Sequence, residues 1–182
     1  MKINNIRIVT LITIILAAAL SRLLPHPFNF TPIGAIALFG GAHFTRKSLA
    51  FIIPLAAMLL SDTLLGFHSS MWAVYASFML TVGIGMGFLQ KITAGRVFGS
   101  AILASILFFL ITNFAVWYGA GSFYPRNLAG LGACYLAGIQ FYQQDFFGNL
   151  FFNTIMGDVF FTSVLFSSFE LLKKKVTALQ MA

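Results

Sequence analysis

Acidic side chains are nearly missing from this chain. Its 182 residues hold 4 Asp and Glu against 11 Lys and Arg, and charged residues of both signs make up only 8%. Soluble domains carry about 25% charged residues, so this chain cannot cover a soluble surface; it reads as an integral membrane protein. Cysteine occurs once, at Cys134, which excludes an internal disulfide framework and any Cys-pair metal site. HExxH, GxSxG and CxxC are absent, and so is a phosphate-binding loop. The chain therefore cannot hydrolyse ATP alone, and no nucleophile–base spacing supports catalysis. His26, His68 and Cys134 have no diagnostic metal-ligand spacing. The expectation is a protein that is not an enzyme and carries neither metal nor cofactor.

What is abundant is hydrocarbon, at 59% hydrophobic residues. A spanning helix needs about 20 predominantly apolar residues. Six runs qualify as spans: Ile6 to Leu24, a short one from Ile33 to Phe44, Leu49 to Leu65, Met71 to Leu89, Val97 to Tyr118, and Asn149 to Leu172. The N-terminal run has signal-peptide features, but its length reads as a retained first helix. The second run measures only ~18 Å as a helix. Between the fifth and sixth runs lies a long mixed segment with a candidate helix from Leu128 to Phe141, too short to span. No linker or repeat divides the chain, so residues 1–182 form one transmembrane domain.

The net charge of +7 has no basic stripe with interleaved aromatics, which argues against nucleic acid. Its placement is informative instead. With six spans, Lys2, Arg7, Arg46, Lys47, Lys91, Arg96, Lys173, Lys174 and Lys175 all fall on one side, leaving Arg22 and Arg126 on the other. The positive-inside rule then puts both termini in the cytoplasm, and the expected location is a bacterial cytoplasmic (inner) membrane, crossed many times. The outer side holds the segment SRLLPHPFNFTP, the loop GFHSS and the long segment after Tyr118, whose Tyr118, Phe123, Tyr124, Tyr135, Phe141, Tyr142, Phe146 and Phe147 read as an aromatic belt. In the first segment Pro25 and Pro27 stop the first helix, Thr31 reads as an N-cap, and Pro32 as the first residue of the second helix.

Polar groups inside spans are costly and raise functional hypotheses. Asp62 lies near the outer end of the third span and Asp158 about mid-way along the sixth. Asp158 reads as a packing partner for a polar group on another helix, as the lining of an outward cavity, or as part of a proton relay. Asn113 and Trp117, and Asn149 and Asn153, are each four residues apart and so share a helix face. An amide and an indole on one face suit a ring-bearing ligand, or serve as interhelical glue. Arg22, His26, Asp62, His68, Trp72, Asn113, Trp117, Asn149 and Asn153 all fall in the outer half, and with Asp158 they form the candidate substrate-binding set. Arg22 and His26, on the side poor in positive charge, suit a polar or anionic guest or a partner such as Asp62. Small residues at Gly83 and Gly87, and at Ala17 and Ser21 with Ala18 beside them, read as close-packing helix surfaces.

HPFNFTPIGAIALFGGAHF (His26 to Phe44) and GLGACYLAGIQFYQQDFFGNLFFNTIMGDVFFTSVLF (Gly130 to Phe166) resemble a bacterial family of unknown function, DUF6580-like, described as transport proteins and related to the substrate-binding S component of energy-coupling factor (ECF) transporters. The six-span plan, with its short second helix, resembles those S components. The resemblance implies uptake of a small micronutrient, a vitamin or cofactor precursor, bound in an outward-facing pocket. It implies that Ala17, Ala18 and Ser21 dock a transmembrane coupling subunit driven by ATPases, with Ser21 departing from that fold's Ala-xxx-Ala stripe. The alternative is a non-transport structural subunit of a membrane complex.

Overall fold

The computed structural model describes residues 2–67, 69–140 and 149–179. Among the described residues there are seven α-helices, α1 (Lys2–Ser21), α2 (Ile33–His43), α3 (Lys47–Leu65), α4 (Met71–Phe88), α5 (Ala94–Tyr118), α6 (Leu128–Gln140) and α7 (Leu150–Lys175), followed by a 3₁₀ turn at Thr177–Leu179. Four of them, α3, α4, α5 and α7, are long and apolar enough to cross a membrane, while the apolar stretches of α1, α2 and α6 are shorter. Their outward faces carry exposed Leu59, Leu60, Phe98, Leu110, Phe160 and Val164, the surface that a helical bundle turns towards lipid.

The short helix α2 is the centre of the bundle. It packs against α1, α3, α4, α5 and α7, and Ala35, Ile36, Leu38 and Phe39 are completely or almost completely buried. A helix apolar on every side belongs in an interior, and IGAIALFGGAH is such a helix. Its glycines set how closely its neighbours approach. A Cβ at Gly41 would strike the Val82 carbonyl of α4, and one at Gly85 would strike the Leu38 carbonyl of α2; a Cβ at Gly40 would meet the Pro54 ring of α3. The α2–α4 crossing is thus backbone against backbone. Gly83 and Gly87, expected to form a close-packing surface, are exposed with open space beside them and pack on no helix of the described bundle. Gly85, between the two, is the residue that packs.

Helix ends follow local chemistry. α1 ends at Ser21, short of the expected Leu24, because its last turn tightens: the amides of Arg22, Leu23 and Leu24 donate to carbonyls three residues back at 3.2, 3.0 and 3.1 Å. Pro25 allows no further helix. Pro32 is the N-cap of α2 and makes no side-chain cap bond, so Thr31, expected there, stands one residue outside. Thr93 caps α5 by accepting from the Arg96 amide, and Asn149 caps α7 by accepting from the Phe152 amide.

The bundle has two chemically distinct ends. At one, Arg7 donates to the His43 carbonyl at 3.3 Å and lies over the Phe169 ring, and His43 is enclosed by Phe39, Phe166 and Phe169. At the other, the C-termini of α1, α3 and α5 meet the N-termini of α2, α4 and α7. The polar residues gather there.

Candidate functional site

The segment between α1 and α2 forms one wall of the site. It lies against α7: Asn153 Nδ2 donates to the Phe28 carbonyl at 2.9 Å, and Gly157 leaves room for the Phe30 and Thr31 backbone. Phe30 packs on Phe160 and Phe161 with ring centroids 5.7 and 5.6 Å away. Asn29 takes a left-handed backbone conformation, φ 63°, which Asn tolerates better than most residues. The segment is held in place by these contacts and its prolines.

Behind this wall is a cavity of about 290 Å³. α4 contributes Val74, Phe78 and Thr81, α5 contributes Ala104, Phe108 and Thr112, and α7 contributes Thr154 and Asp158. Arg22, Asn29 and Thr31 lie on the α1–α2 side, and Ile33 and Gly34 belong to the start of α2. A smaller cavity of about 170 Å³ shares Asn29, Phe108, Thr112 and Thr154 and reaches Asn113 and Gly138 of α6.

Asp158, like Asp62, has 5% of its surface exposed. It accepts from Ser105 Oγ at 2.7 Å and from the Gly34 amide. A carboxylate from α7 therefore stands at the N-terminus of α2, where unpaired amides favour negative charge; this compensates for the missing side-chain cap at Pro32. Asp158 joins α7 to α5 and α2 and also lines the cavity.

At the rim, Arg22 Nη1 contacts Asp62 Oδ1 at 2.7 Å and donates to Ser61 Oγ. Tyr75 donates its hydroxyl to Asp62 Oδ2 at 2.8 Å. α1, α3 and α4 are tied by one buried network, and Arg22 is the member that lines the cavity.

The remaining candidates separate by position. Asn113 lines the smaller cavity, and its Nδ2 donates to the Phe109 carbonyl at 2.9 Å. Trp117 Nε1 donates to the Pro125 carbonyl at 2.9 Å, pinning the segment after α5. Asn149 donates to the Ile139 carbonyl at 2.7 Å, joining α7 to α6. Asn153 is fully buried and holds Phe28. His26 is exposed with Nδ1 3.0 Å from the Pro27 carbonyl, and Trp72 is exposed; neither lines the cavity. His68, and Phe141, Tyr142, Phe146 and Phe147 of the expected aromatic belt, lie outside the described residues. On α1, Ala18 packs into the core, Ala17 is exposed, and Ser21 is half-buried with its hydroxyl donating to the Ala18 carbonyl. Cys134 is buried with Sγ 3.5 Å from the Asn113 carbonyl. Among the described residues no group of three His, Cys, Asp or Glu is arranged to hold a metal.

Sequence reasoning missed the threonines. Thr81, Thr112 and Thr154 carry no charge, so a search for ionisable and amide groups passes over them. A spacing signal was present: Thr154 precedes Asp158 by four residues, and Ala104, Phe108 and Thr112 recur at the same interval, which places each set on one helix face.

The model of a family of unknown function, DUF6580, matches residues 2–179. No match was found among curated proteins or among solved structures.

Proposed function

Because the chain belongs to DUF6580, a family of unknown function, its activity has to be read from the cavity, and we propose that it is a membrane binding protein for uptake of a small micronutrient. The observation that carries this reading is the buried carboxylate of Asp158 at the base of a cavity of about 290 Å³. Ligand sites are concave and mostly apolar with a few placed polar groups, and charged residues inside a bundle mark ligand or ion paths.

In this proposal α1 and α2 join α3, α4, α5 and α7 as six spans, with α6 an outer interfacial helix. The basic end is cytoplasmic by the positive-inside rule, and the cavity opens to the outside. The short, central α2 and the outer elaboration support the relation to ECF S components. Without a phosphate-binding loop, the energy for uptake comes from a partner. The exposed Ala17 and half-buried Ser21 on α1 suit close approach of a coupling helix. A ligand drives reorientation only by binding one state more tightly than the other. The α1–α2 segment, in contact with both cavity and bundle, is suited to sense that difference.

A structural-subunit reading has its own support: Asn113, Trp117, Asn149 and Asn153 each donate to a carbonyl of this chain, as glue would. Native mass spectrometry of gently extracted protein separates the two. The binding reading expects one small molecule carried through purification and lost when Ala104→Phe fills the cavity. Equal small-molecule content in wild type and Ala104→Phe would leave the structural reading.

A further inference from the structure

The hydroxyl protons of three threonines on the helical walls of the cavity are already committed. Thr81 donates to the Ser77 carbonyl at 2.9 Å, Thr112 to the Phe108 carbonyl at 2.8 Å, and Thr154 to the Leu150 carbonyl at 2.8 Å, each one turn back on its own helix. What a threonine bonded this way still offers is oxygen lone pairs. Asp158 accepts two hydrogen bonds, and an ionised carboxylate has about four acceptor positions, so it too retains acceptor capacity. Three helices therefore bring acceptors to one space.

Positive charge is scarce there, and the neutral donors, the Asn29 amide and the Thr31 hydroxyl, sit on the α1–α2 side. Arg22 is the cavity's cation, and its Nη1 is engaged by Asp62 and Ser61. The Arg22 charge is thus matched at the rim. Its Nε is buried without a hydrogen-bond partner and offers one donor to a neutral acceptor on a guest. Asp158, by contrast, has no cation within ion-pair distance among the described residues. A buried carboxyl with no cation beside it either takes up a proton or is met by something positive or strongly donating, and a cationic guest is what would hold Asp158 ionised. The apolar lining adds Phe78 and Phe108, stacked at 25° with centroids 6.0 Å apart. Aromatic faces attract cations and pack against rings. The volume equals about ten waters at ~30 Å³ each, enough for a single ring with a short side chain.

We infer that the guest of this cavity is a small ring-bearing cation, a protonated amine or nitrogen heterocycle, whose donors meet Asp158 and the threonine oxygens while its ring packs on Phe78 and Phe108. This rests on the binding reading above and narrows it to a chemical class.

The test uses the full chain in lipid nanodiscs and three probes of one size: benzylammonium, benzyl alcohol and benzoate, titrated by calorimetry at neutral pH. Benzylammonium is expected to bind about tenfold or more tighter than benzoate, with the alcohol between. Asp158→Asn should weaken benzylammonium by about tenfold and leave benzyl alcohol nearly unchanged. Asp158 also holds the start of α2, so Thr112→Val is a second variant: it removes one acceptor at constant shape and should weaken benzylammonium by roughly threefold or more. Benzoate binding as tightly as benzylammonium, or benzylammonium indifferent to both substitutions, overturns the inference and leaves a binding cavity of another class. Failure of all three probes, with no small molecule carried through purification, removes the binding reading as well; if a molecule is carried through, a neutral or anionic one overturns the inference alone.

Discussion

Arg22 and Asp62 show how a charge survives inside an apolar bundle. Their side chains are 12% and 7% exposed, so each depends on the other, on Ser61 and on Tyr75. Removing one member of a buried pair costs about 3–5 kcal/mol because it strands its partner, whereas replacing both by apolar groups is often close to neutral. Asp62→Ala is therefore expected to lower the melting temperature of the detergent-solubilised protein clearly. Arg22→Met combined with Asp62→Leu should recover most of that loss, and a double variant no more stable than the single would mean that the pair is not what holds α1 to α3. The sequence placed both residues near one end and offered Asp62 as a partner for Arg22. It could not show that Tyr75 completes the network, because a tyrosine in an aromatic-rich chain carries no distinguishing pattern.

Helix α2 has little packing tolerance. Its contact with α4 passes through Gly41 and Gly85, where an added Cβ meets a carbonyl oxygen of the opposite helix. Backbone cannot move aside as a side chain can, and overpacking costs about 1–3 kcal/mol. Gly85→Ala should reduce the yield of monodisperse protein, while Gly83→Ala, two residues away and facing open space, should stay within about 0.5 kcal/mol of wild type. Size-exclusion profiles of the two, prepared in parallel, check this; equal profiles would mean that α2 and α4 do not cross so closely. Small residues in GIGMG were a legible sign of a helix contact. Which glycine faces the partner depends on helix rotation, and rotation follows from what surrounds the helix on every side.

At the scale of the whole molecule, most basic residues lie at the end away from the cavity, with Arg22 and Arg126 the exceptions, and this asymmetry gives the fold a direction. If the six-span arrangement holds, a cysteine at the exposed position 91 lies in the cytoplasm and one at the fully exposed position 123 lies outside. In a Cys134→Ser background, Phe123→Cys should react with a membrane-impermeant maleimide on intact cells, and Lys91→Cys only after permeabilisation. The reverse labelling would turn the cavity towards the cytoplasm and remove the uptake reading.

Composition and the length of the apolar runs were enough to read this chain as apolar and helical, since each run is long enough for a helix, and Pro25, Pro27 and Pro32 marked the end of α1 and the start of α2 to within a few residues. The burial of α2, the start of α2 under Asp158 and the threonine-lined cavity were decided only in three dimensions. Each depends on groups far apart in sequence, Gly34 with Asp158 and Ser105, or Thr81 with Thr112 and Thr154. Periodicity reports which residues share a face of one helix. It does not report which faces meet, because that is set by the combined shape of all the helices once α2 has filled the centre.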